Sequence, residues 1–409
     1  KNTTIMRILF VISQLADFTG DAGLMLGIAE SLKKLGHELL IVTTDADPFL
    51  NDSDSSKKYS EQRILFSKNI GEKIQFNNLL VLPIHSISNK LGMYCPDAKK
   101  IGEEIISQFD VVHIFSWYHH LGIVFSKLSQ KFNIPYAFTA FASLQPDAQN
   151  FFKRRKQVID FLYTKKMIKN ASALHAVGNS EIPIFKAMGV DLKKIYMIEN
   201  GVDLKKFEIK HQTEILEKIG LNKNKKFILF FGRIHKKKGI EFLLKAFKKF
   251  SENHKDIFLI IGGHGEKKYV NEIKKLIEEL DIKKLVKFTG YVSHDEKLQL
   301  LNSAEIFVLT SLTDVHPHAV QEALVMKTPV IISKECDCPE VEEFEAGKIV
   351  ELDVNEIYSA MVNLLENPKI ILKYSENTVN LVQERFLLEN QIKKIIDMYQ
   401  DISITHKKL

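Results

Sequence analysis

Only three of the 409 residues are cysteine: Cys95, Cys336 and Cys338. An odd count with no CxxC pair excludes a disulfide scaffold and a zinc ribbon, so Cys336-x-Cys338 reads as two free thiols. No uninterrupted apolar run approaches the roughly 18 residues that a membrane-crossing helix needs. The first apolar run, Ile8 to Ile12, is too short for the core of a signal peptide. The expected location is a reducing cytoplasm, or the cytoplasmic face of a membrane. Neither GxGxxG nor GxxxxGK[ST] occurs, which removes the common dinucleotide fingerprint and the Walker A loop. Internal repeats and low-complexity segments are also absent. His113, His119 and His120 form no i,i+4 pair and have no acid on the same face, so they read as satisfied or surface histidines rather than metal ligands.

What is present is an ordinary globular composition, with 45% hydrophobic and 26% charged residues. The length exceeds one ordinary core and suits two or three domains. A net charge of +6 is mildly basic. It suits an anionic small ligand or an anionic membrane surface and does not require nucleic acid, and no nucleic-acid partner is expected.

Apolar runs alternate with amphipathic stretches along the chain. Arg7 to Ser13 reads as a buried parallel strand. A loop holding Gly20 and Gly23 follows, then a helix over Leu24 to Leu35 capped by Gly36, then a strand from Glu38. Asp45 to Glu61 is polar and reads as loop. Further strands are expected at Leu79–Leu82, Val111–Phe115, Ile134–Thr139, Ala173–Val177 and Ile195–Ile198. Phe151 to Asn170 is basic and aromatic. It fits a surface helix with a solvated basic side, or a helix lying on an anionic membrane.

The charged stretch Asp203 to Lys226 reads as a linker. Beyond it the alternation restarts, with strands at Phe227–Phe231, Ile257–Ile261, Val286–Thr289 and Ile306–Leu309. Helices are expected at Ile240–Phe250, Val270–Leu280 and Lys297–Asn302. Three tail helices follow, at Asn355–Glu366, Ile370–Phe386 and Glu389–Asp401. The fold class is α/β, with two Rossmann-like doubly wound domains facing across a cleft. Residues 1–204 form the first, residues 205–387 the second, and 388–409 pack back on the first.

Two stretches carry chemistry. In FVLTSLTDVHPHAVQEALVMKTPVII a strand ending at Leu309 leads through a polar loop to a helix with Pro317 at its first position. Asp314 precedes that helix and Glu322 lies in its second turn, five residues past Pro317 and roughly 7–8 Å along the axis. A phosphate between them would meet helix N–H groups. In Gly232-Arg-Ile-His-Lys-Lys-Lys-Gly239, Arg233 offers a fork for phosphate and Lys238 a point charge, while Gly232 and Gly239 permit close backbone approach. Read alone, this loop also fits a solvated basic turn. Gly262-Gly-His-Gly265 ends a third strand on the same edge.

Together these segments resemble the GT-B fold, retaining glycosyltransferases of family 4. The resemblance runs through MRILFVIS, LKKLGHE, DVVH at Asp110 to His113, IENGVD at Ile198 to Asp203, FGRIHKKKGIEFLLKAF, and the spacing of Asp314 and Glu322, which fits the E-x7-E motif. It implies a nucleotide-diphosphate sugar as donor and a hexose-type sugar moved to a glycan, lipid-linked or small-molecule acceptor, with no metal and no other cofactor. On that resemblance Arg233 and Lys238 hold the diphosphate and Glu322 accepts from the ribose hydroxyls. Asp314 faces the sugar, helped by backbone around His316, Pro317, His318 and Ala319. Tyr291 and Val292 line the base pocket, and Gly20 lets the N-terminal loop close on the phosphates. The departing phosphate itself takes the acceptor proton.

Departures from the pattern are Asp314 in place of glutamate, Val315-His316-Pro317 in place of glycine-aromatic-glycine, and Phe141 and Phe115 where the family often has histidine. They leave two other readings open: a nucleotide-sugar-binding chain without turnover, and a GT-B sugar-nucleotide epimerase.

Overall fold

Strands built from continuous apolar runs have no solvent face, so they belong in parallel sheets covered by helices on both sides. The computed structural model describes residues 4–16, 20–46, 53–89, 92–115, 120–141, 163, 165–212 and 214–407. It divides into two units: residues 1–201 with 388–409, and residues 202–387. The first boundary falls between Gly201 and Val202, three residues before the expected position.

The first unit holds an eight-stranded sheet in the order β10-β9-β8-β7-β1-β2-β4-β3. Its strands are β1 (Arg7–Ile12), β2 (Glu38–Thr44), β3 (Ile74–Phe76), β4 (Leu79–Ile84), β7 (Val111–Phe115), β8 (Tyr136–Thr139), β9 (Ala173–Ala176) and β10 (Ile195–Met197), while β5 (Ile87–Asn89) and β6 (Gly92–Tyr94) pair separately. Every neighbour pair in the large sheet is parallel except β3 with β4. Two expectations are corrected here. The first helix runs Gly20–Lys34, so Gly20 and Gly23 lie in its first turn and not in a loop. A helix, Ser53–Lys68, begins inside the polar stretch read as loop and runs past its end at Glu61. Most of the basic-aromatic stretch (151–162 and 164) lies outside the described residues; 165–170 is helical. Among the described residues no helix is long and apolar enough to cross a membrane.

The final helix, Leu388–Lys407, belongs to this unit and is fixed to it by a buried polar chain. Tyr399 Oη lies 2.6 Å from His113 Nδ1, and His113 Nε2 lies 2.7 Å from Thr139 Oγ1. Thr139 Oγ1 is in turn 2.9 Å from His175 Nδ1, and His175 Nε2 is 2.8 Å from the Ile198 carbonyl. A carbonyl only accepts, so His175 carries its proton on Nε2. Thr139 then donates to His175, His113 donates to Thr139, and Tyr399 donates to His113. The chain closes with both imidazoles neutral. His113 is thus the satisfied histidine that its spacing suggested.

Burial holds His113 well below its ordinary value and brings His175 down from 6.5 to about 4. A base whose folded pKa lies below its unfolded one binds more protons when unfolded, so stability is complete above pH 6.5 and declines as the pH falls toward 4. For His175 the full loss is about 3 kcal/mol. Urea midpoints should fall steadily between pH 7 and pH 5, and a flat profile would show that the neutral chain is not what fixes the helix.

The second unit has a six-stranded, all-parallel sheet. Its strands are β11 (Phe227–Phe231), β12 (Phe258–Gly262), β13 (Val286–Gly290), β14 (Ile306–Leu309), β15 (Val330–Ser333) and β16 (Gly347–Val350), in the order β13-β12-β11-β14-β15-β16. The order reverses between β11 and β14. In an open doubly wound sheet that reversal is where loops diverge at the carboxyl edge and leave room for a ligand. The helix expected to end at Phe386 is Pro368–Leu381, continued by a π turn over Val382–Phe386. The Phe386 carbonyl in that turn accepts from Val202 N at 2.7 Å.

Candidate active site

The loops after β11 and β14 are stitched to one another and to the loop after β12. Gly232 N donates to the Gly262 carbonyl at 3.1 Å and Ile234 N to the His264 carbonyl at 2.7 Å, so the ladder continues past the sheet edge. A Cβ at Gly263 would lie 2.0 Å from the Gly232 carbonyl oxygen, and one at Gly265 would lie 2.0 Å from that of Ile234. These glycines serve backbone-to-backbone packing. His235 Nδ1 accepts from Lys237 N at 3.1 Å and caps a 3-10 turn over Lys236–Lys238. Gly239 follows at φ 56 and starts the helix Ile240–Ser251. Leu312 N donates to the Lys237 carbonyl at 2.7 Å, and Thr310 Oγ1 donates to the Gly239 carbonyl at 2.9 Å. The basic loop and the acid-bearing loop therefore share one frame.

That frame brings Lys238 into an ion pair with Asp314, each side chain about a fifth exposed. Ser311 Oγ donates to the same carboxylate oxygen at 3.1 Å. Arg233 is exposed and, among the described residues, has no carboxylate within ion-pairing distance. Glu322 sits in the helix His318–Val325, with Oε1 2.5 Å from Lys297 Nζ. Tyr291 is exposed, with its ring centroid 6.3 Å from that of His264, and Val292 beside it is buried.

Two expectations at this loop are corrected. Pro317 is the residue before the helix, at ψ 130, and not its first helical residue. The His316 amide cannot serve a ligand, because it donates to the Cys336 carbonyl at 3.1 Å. The two amides that open the helix, those of His318 and Ala319, have no carbonyl four residues back within it, and such helix-opening amides are a common setting for an anion. The His318 imidazole next to them is neutral: burial lowers its pKa, against the raising influence of Glu322 and Asp314.

His316 has φ 45 and a buried ring. Its Nε2 is 3.5 Å from Glu340 Oε2, Arg385 Nη2 is 3.3 Å from Glu340 Oε1, and Phe386 meets the ring edge-on. Cys338 lies beside them: one nitrogen, one sulfur and one oxygen lie within 4.8 Å of one another. A structural zinc takes four ligands, and Arg385 already engages this carboxylate, so Glu340 joins Arg385 to the His316 loop as a clasp. All three cysteines are free and buried.

In the first unit Phe141 adopts φ 48, a conformation that bulky L residues seldom take, and stacks on Phe115 at 5.9 Å. Phe115 in turn stacks on His113 at 4.0 Å. Sequence reasoning missed Lys297, Ser311 and the His316–Glu340–Arg385 clasp. The first had a signal, since Ser293 and Glu296 form a capping box that places Lys297 in a helix's first turn.

A family model for Glycosyl transferases group 1 matches residues 211–381, and one for Glycosyltransferase Family 4 matches residues 24–206. The alpha-monoglucosyldiacylglycerol synthase of Acholeplasma laidlawii is 26% identical, with 99% of both chains covered. The UDP-Gal:alpha-D-GlcNAc-diphosphoundecaprenol alpha-1,3-galactosyltransferase of Escherichia coli is 30% identical over 54% of this chain and 57% of its own. Among solved structures, Anabaena HepE in complex with UDP and glucose superimposes with a TM-score of 0.73 at 18% identity, covering 99% of this chain and all of that one. The order of the six-stranded sheet, the loops at its reversal and the two family matches agree: the chain is an enzyme, a glycosyltransferase of the GT-B fold that belongs to family 4.

Proposed function

We propose that the enzyme moves a hexose-type sugar from a nucleoside-diphosphate sugar to a glycan, lipid-linked or small-molecule acceptor, with retention at the anomeric carbon and without a metal. The observation that carries this is the set of groups at the sheet reversal. Arg233 and Lys238 follow β11, Asp314 and the open helix amides follow β14, and backbone hydrogen bonds hold the two loops in one frame. A diphosphate leaving group gains negative charge as the C1–O bond breaks. Preorganised cations and amides at that point stabilise it where it develops, which is the office a metal would otherwise hold. On binding, the diphosphate competes with Asp314 for Lys238. The freed carboxylate then accepts from a sugar hydroxyl while Ser311 steadies it. The acceptor oxygen attacks C1, and its proton passes to the departing phosphate oxygen, so no protein base is required and Phe141 does not prevent turnover.

The relatives' names favour lipid-linked acceptors, as in the diacylglycerol and diphosphoundecaprenol enzymes. The basic-aromatic stretch Phe151–Asn170 suits work at the cytoplasmic face of an anionic membrane. A thermal-shift screen of nucleotide sugars identifies the donor, since a tight ligand raises the melting temperature with its saturation. Proton NMR of the product made from that donor should show the donor's anomeric configuration, with rates unchanged by EDTA. Inverted product removes the retaining assignment, and loss of activity in EDTA restored by a divalent cation removes the metal-free one.

A further inference from the structure

The carboxyl edge of the first sheet carries side chains that the donor reading does not use. Asp45 follows β2, His85 and Ser86 follow β4, and His120 opens the helix His120–Lys131 after β7. Ligands of open α/β sheets bind outside the carboxyl ends of the strands. The β5–β6 hairpin, too small to be stable alone, is tied to this edge. Thr44 Oγ1, at the end of β2, lies 3.3 Å from Met93 Sδ in β6. Asp45 Oδ1 accepts from Ser86 N and from Ser86 Oγ, at 2.8 Å each, where the chain enters the hairpin. Cys95 N, where it leaves, donates to His120 Nδ1 at 3.3 Å.

The tautomers of two imidazoles follow from these partners. A carboxylate only accepts, so His85, with Nδ1 3.0 Å from Asp45 Oδ2, carries hydrogen on Nδ1 and in its neutral ring offers Nε2 as an acceptor. A backbone amide only donates, so His120 accepts at Nδ1 and carries hydrogen on Nε2. Burial lowers the pKa of His120, helped by Lys127, and keeps that ring neutral. Neither Nε2 has a partner among the described residues. Beside the rings lies an apolar face. Ile87 and Tyr94 are cross-strand partners, so they share one face of the hairpin, and each is about half exposed. The Tyr94 ring centroid is 4.6 Å from that of His120. An apolar plate edged by one fixed donor and one fixed acceptor matches a pyranose, which has C–H faces and hydroxyls that both give and take hydrogen. An acyl chain would cover the plate and leave both nitrogens unpaired. A phosphate would meet neutral rings and the Asp45 carboxylate.

We propose that this edge is the acceptor subsite and that it takes the sugar ring of a glycoside, with Tyr94 as platform and His85 and His120 as positioning residues. Its role in transfer rests on the reading above, whereas binding of the ring needs no donor. The glycoside is a free glycan or the head of a glycolipid.

Saturation-transfer NMR on the full chain, without nucleotide, tests this with methyl and octyl glucosides, galactosides, mannosides and N-acetylglucosaminides, and with dioctanoylglycerol. The ring protons of at least one glycoside should show contact. Equal affinity for its methyl and octyl forms identifies a glycan, and tighter octyl binding identifies a glycolipid. His85→Asn keeps a donor for Asp45 and His120→Asn keeps an acceptor for Cys95 N, while both lose Nε2. Each should weaken the glycoside about three- to tenfold, the worth of one hydrogen bond, and Tyr94→Ser about tenfold. Melting temperature and nucleotide-sugar affinity should not change, and in transfer assays the loss should fall on the acceptor KM and not on kcat. Contact with no glycoside, contact with dioctanoylglycerol alone, or glycoside binding unaltered in all three variants overturns the proposal and leaves the donor site standing. A wild type that binds a glycoside through these residues and binds no nucleotide sugar overturns the transferase reading and keeps the sugar site.

Discussion

Replacing Arg233 with alanine is expected to lower kcat by two to three orders of magnitude, about 3–4 kcal/mol of transition-state stabilisation, while the melting temperature stays where it is. Its side chain is exposed and has no carboxylate partner among the described residues, so the fold loses nothing when it is shortened. On the proposed mechanism, what is lost is a guanidinium that stabilises charge developing only as the sugar departs. Lys238→Ala is expected to lower turnover on the same scale with a different signature. It also strips Asp314 of its ion pair and leaves a carboxylate only about a fifth exposed with Ser311 as its remaining donor. Stability should then fall by about 1–2 kcal/mol, and substrate affinity should fall with it if Asp314 accepts from the sugar as proposed. The double variant should lose less than the sum, since both cations act on one diphosphate. Steady-state kinetics with the donor found in the thermal screen separates these outcomes. Wild-type turnover in both single variants would remove the diphosphate assignment.

The parts of this architecture that the sequence reveals are those in which one physical signal is sufficient. Phe227–Phe231 and Ile306–Leu309 are buried on both faces, so each reads as an unbroken apolar run and its bounds are recovered residue for residue. The helix Ser53–Lys68 gives no such signal. Its first eleven residues are polar apart from Tyr59, and the apolar residues Ile64, Leu65 and Phe66 are consecutive and form no stripe at helical spacing. β3, β5 and β6 are three residues each, shorter than any window over which periodicity can be counted. Pro317 shows a subtler limit. Proline fixes φ, and −64° suits the residue before a helix as well as its first residue. Only ψ separates the two. Here ψ is 130°, and the loop just before it is tied by the bond from His316 N to the Cys336 carbonyl, a contact across twenty residues that no local rule foresees.

The same division runs through the site. The residue types at the sheet reversal are legible because charged side chains stand out in loops that follow apolar strands. Their partners are not. Lys238 with Asp314, and Lys297 with Glu322, are joined by the order of strands, 76 and 25 residues apart in the chain. A sequence read without that order sees four separate charged residues and passes over Lys297, where the fold has two ion pairs and one exposed arginine. The distinction matters for function, because a ligand has to displace or join those pairs.

A heavy penalty falls on the fold itself at Gly239, and Gly239→Ala is expected to cost about 3–5 kcal/mol. The residue sits at φ 56, between the 3-10 turn of Lys236–Lys238 and the helix that begins at Ile240, and a non-glycine residue there pays about 1–2 kcal/mol on conformation alone. The greater part is steric. A Cβ would lie 2.1 Å from the Thr310 carbonyl oxygen, and backbone cannot rotate aside as a flexible side chain can. Relief requires the loop after β14 to retreat from the loop after β11. That retreat breaks the bond from Thr310 Oγ1 to the Gly239 carbonyl and the one from Leu312 N to the Lys237 carbonyl. Gly220 supplies the control: it also has positive φ, at 74°, but its added Cβ would meet only the mobile end of Lys287 at 4.0 Å. Gly220→Ala should therefore cost about 1 kcal/mol. Urea unfolding of the two variants decides the matter, since equal losses would assign the effect to backbone conformation and not to the approach of the two loops. The close approach at Gly239 also sets the distance between Lys238 and Asp314. An alanine variant rescued by low temperature or a stabilising osmolyte should still bind donor poorly, because the frame that aligns the cations with the acid loop has been forced apart.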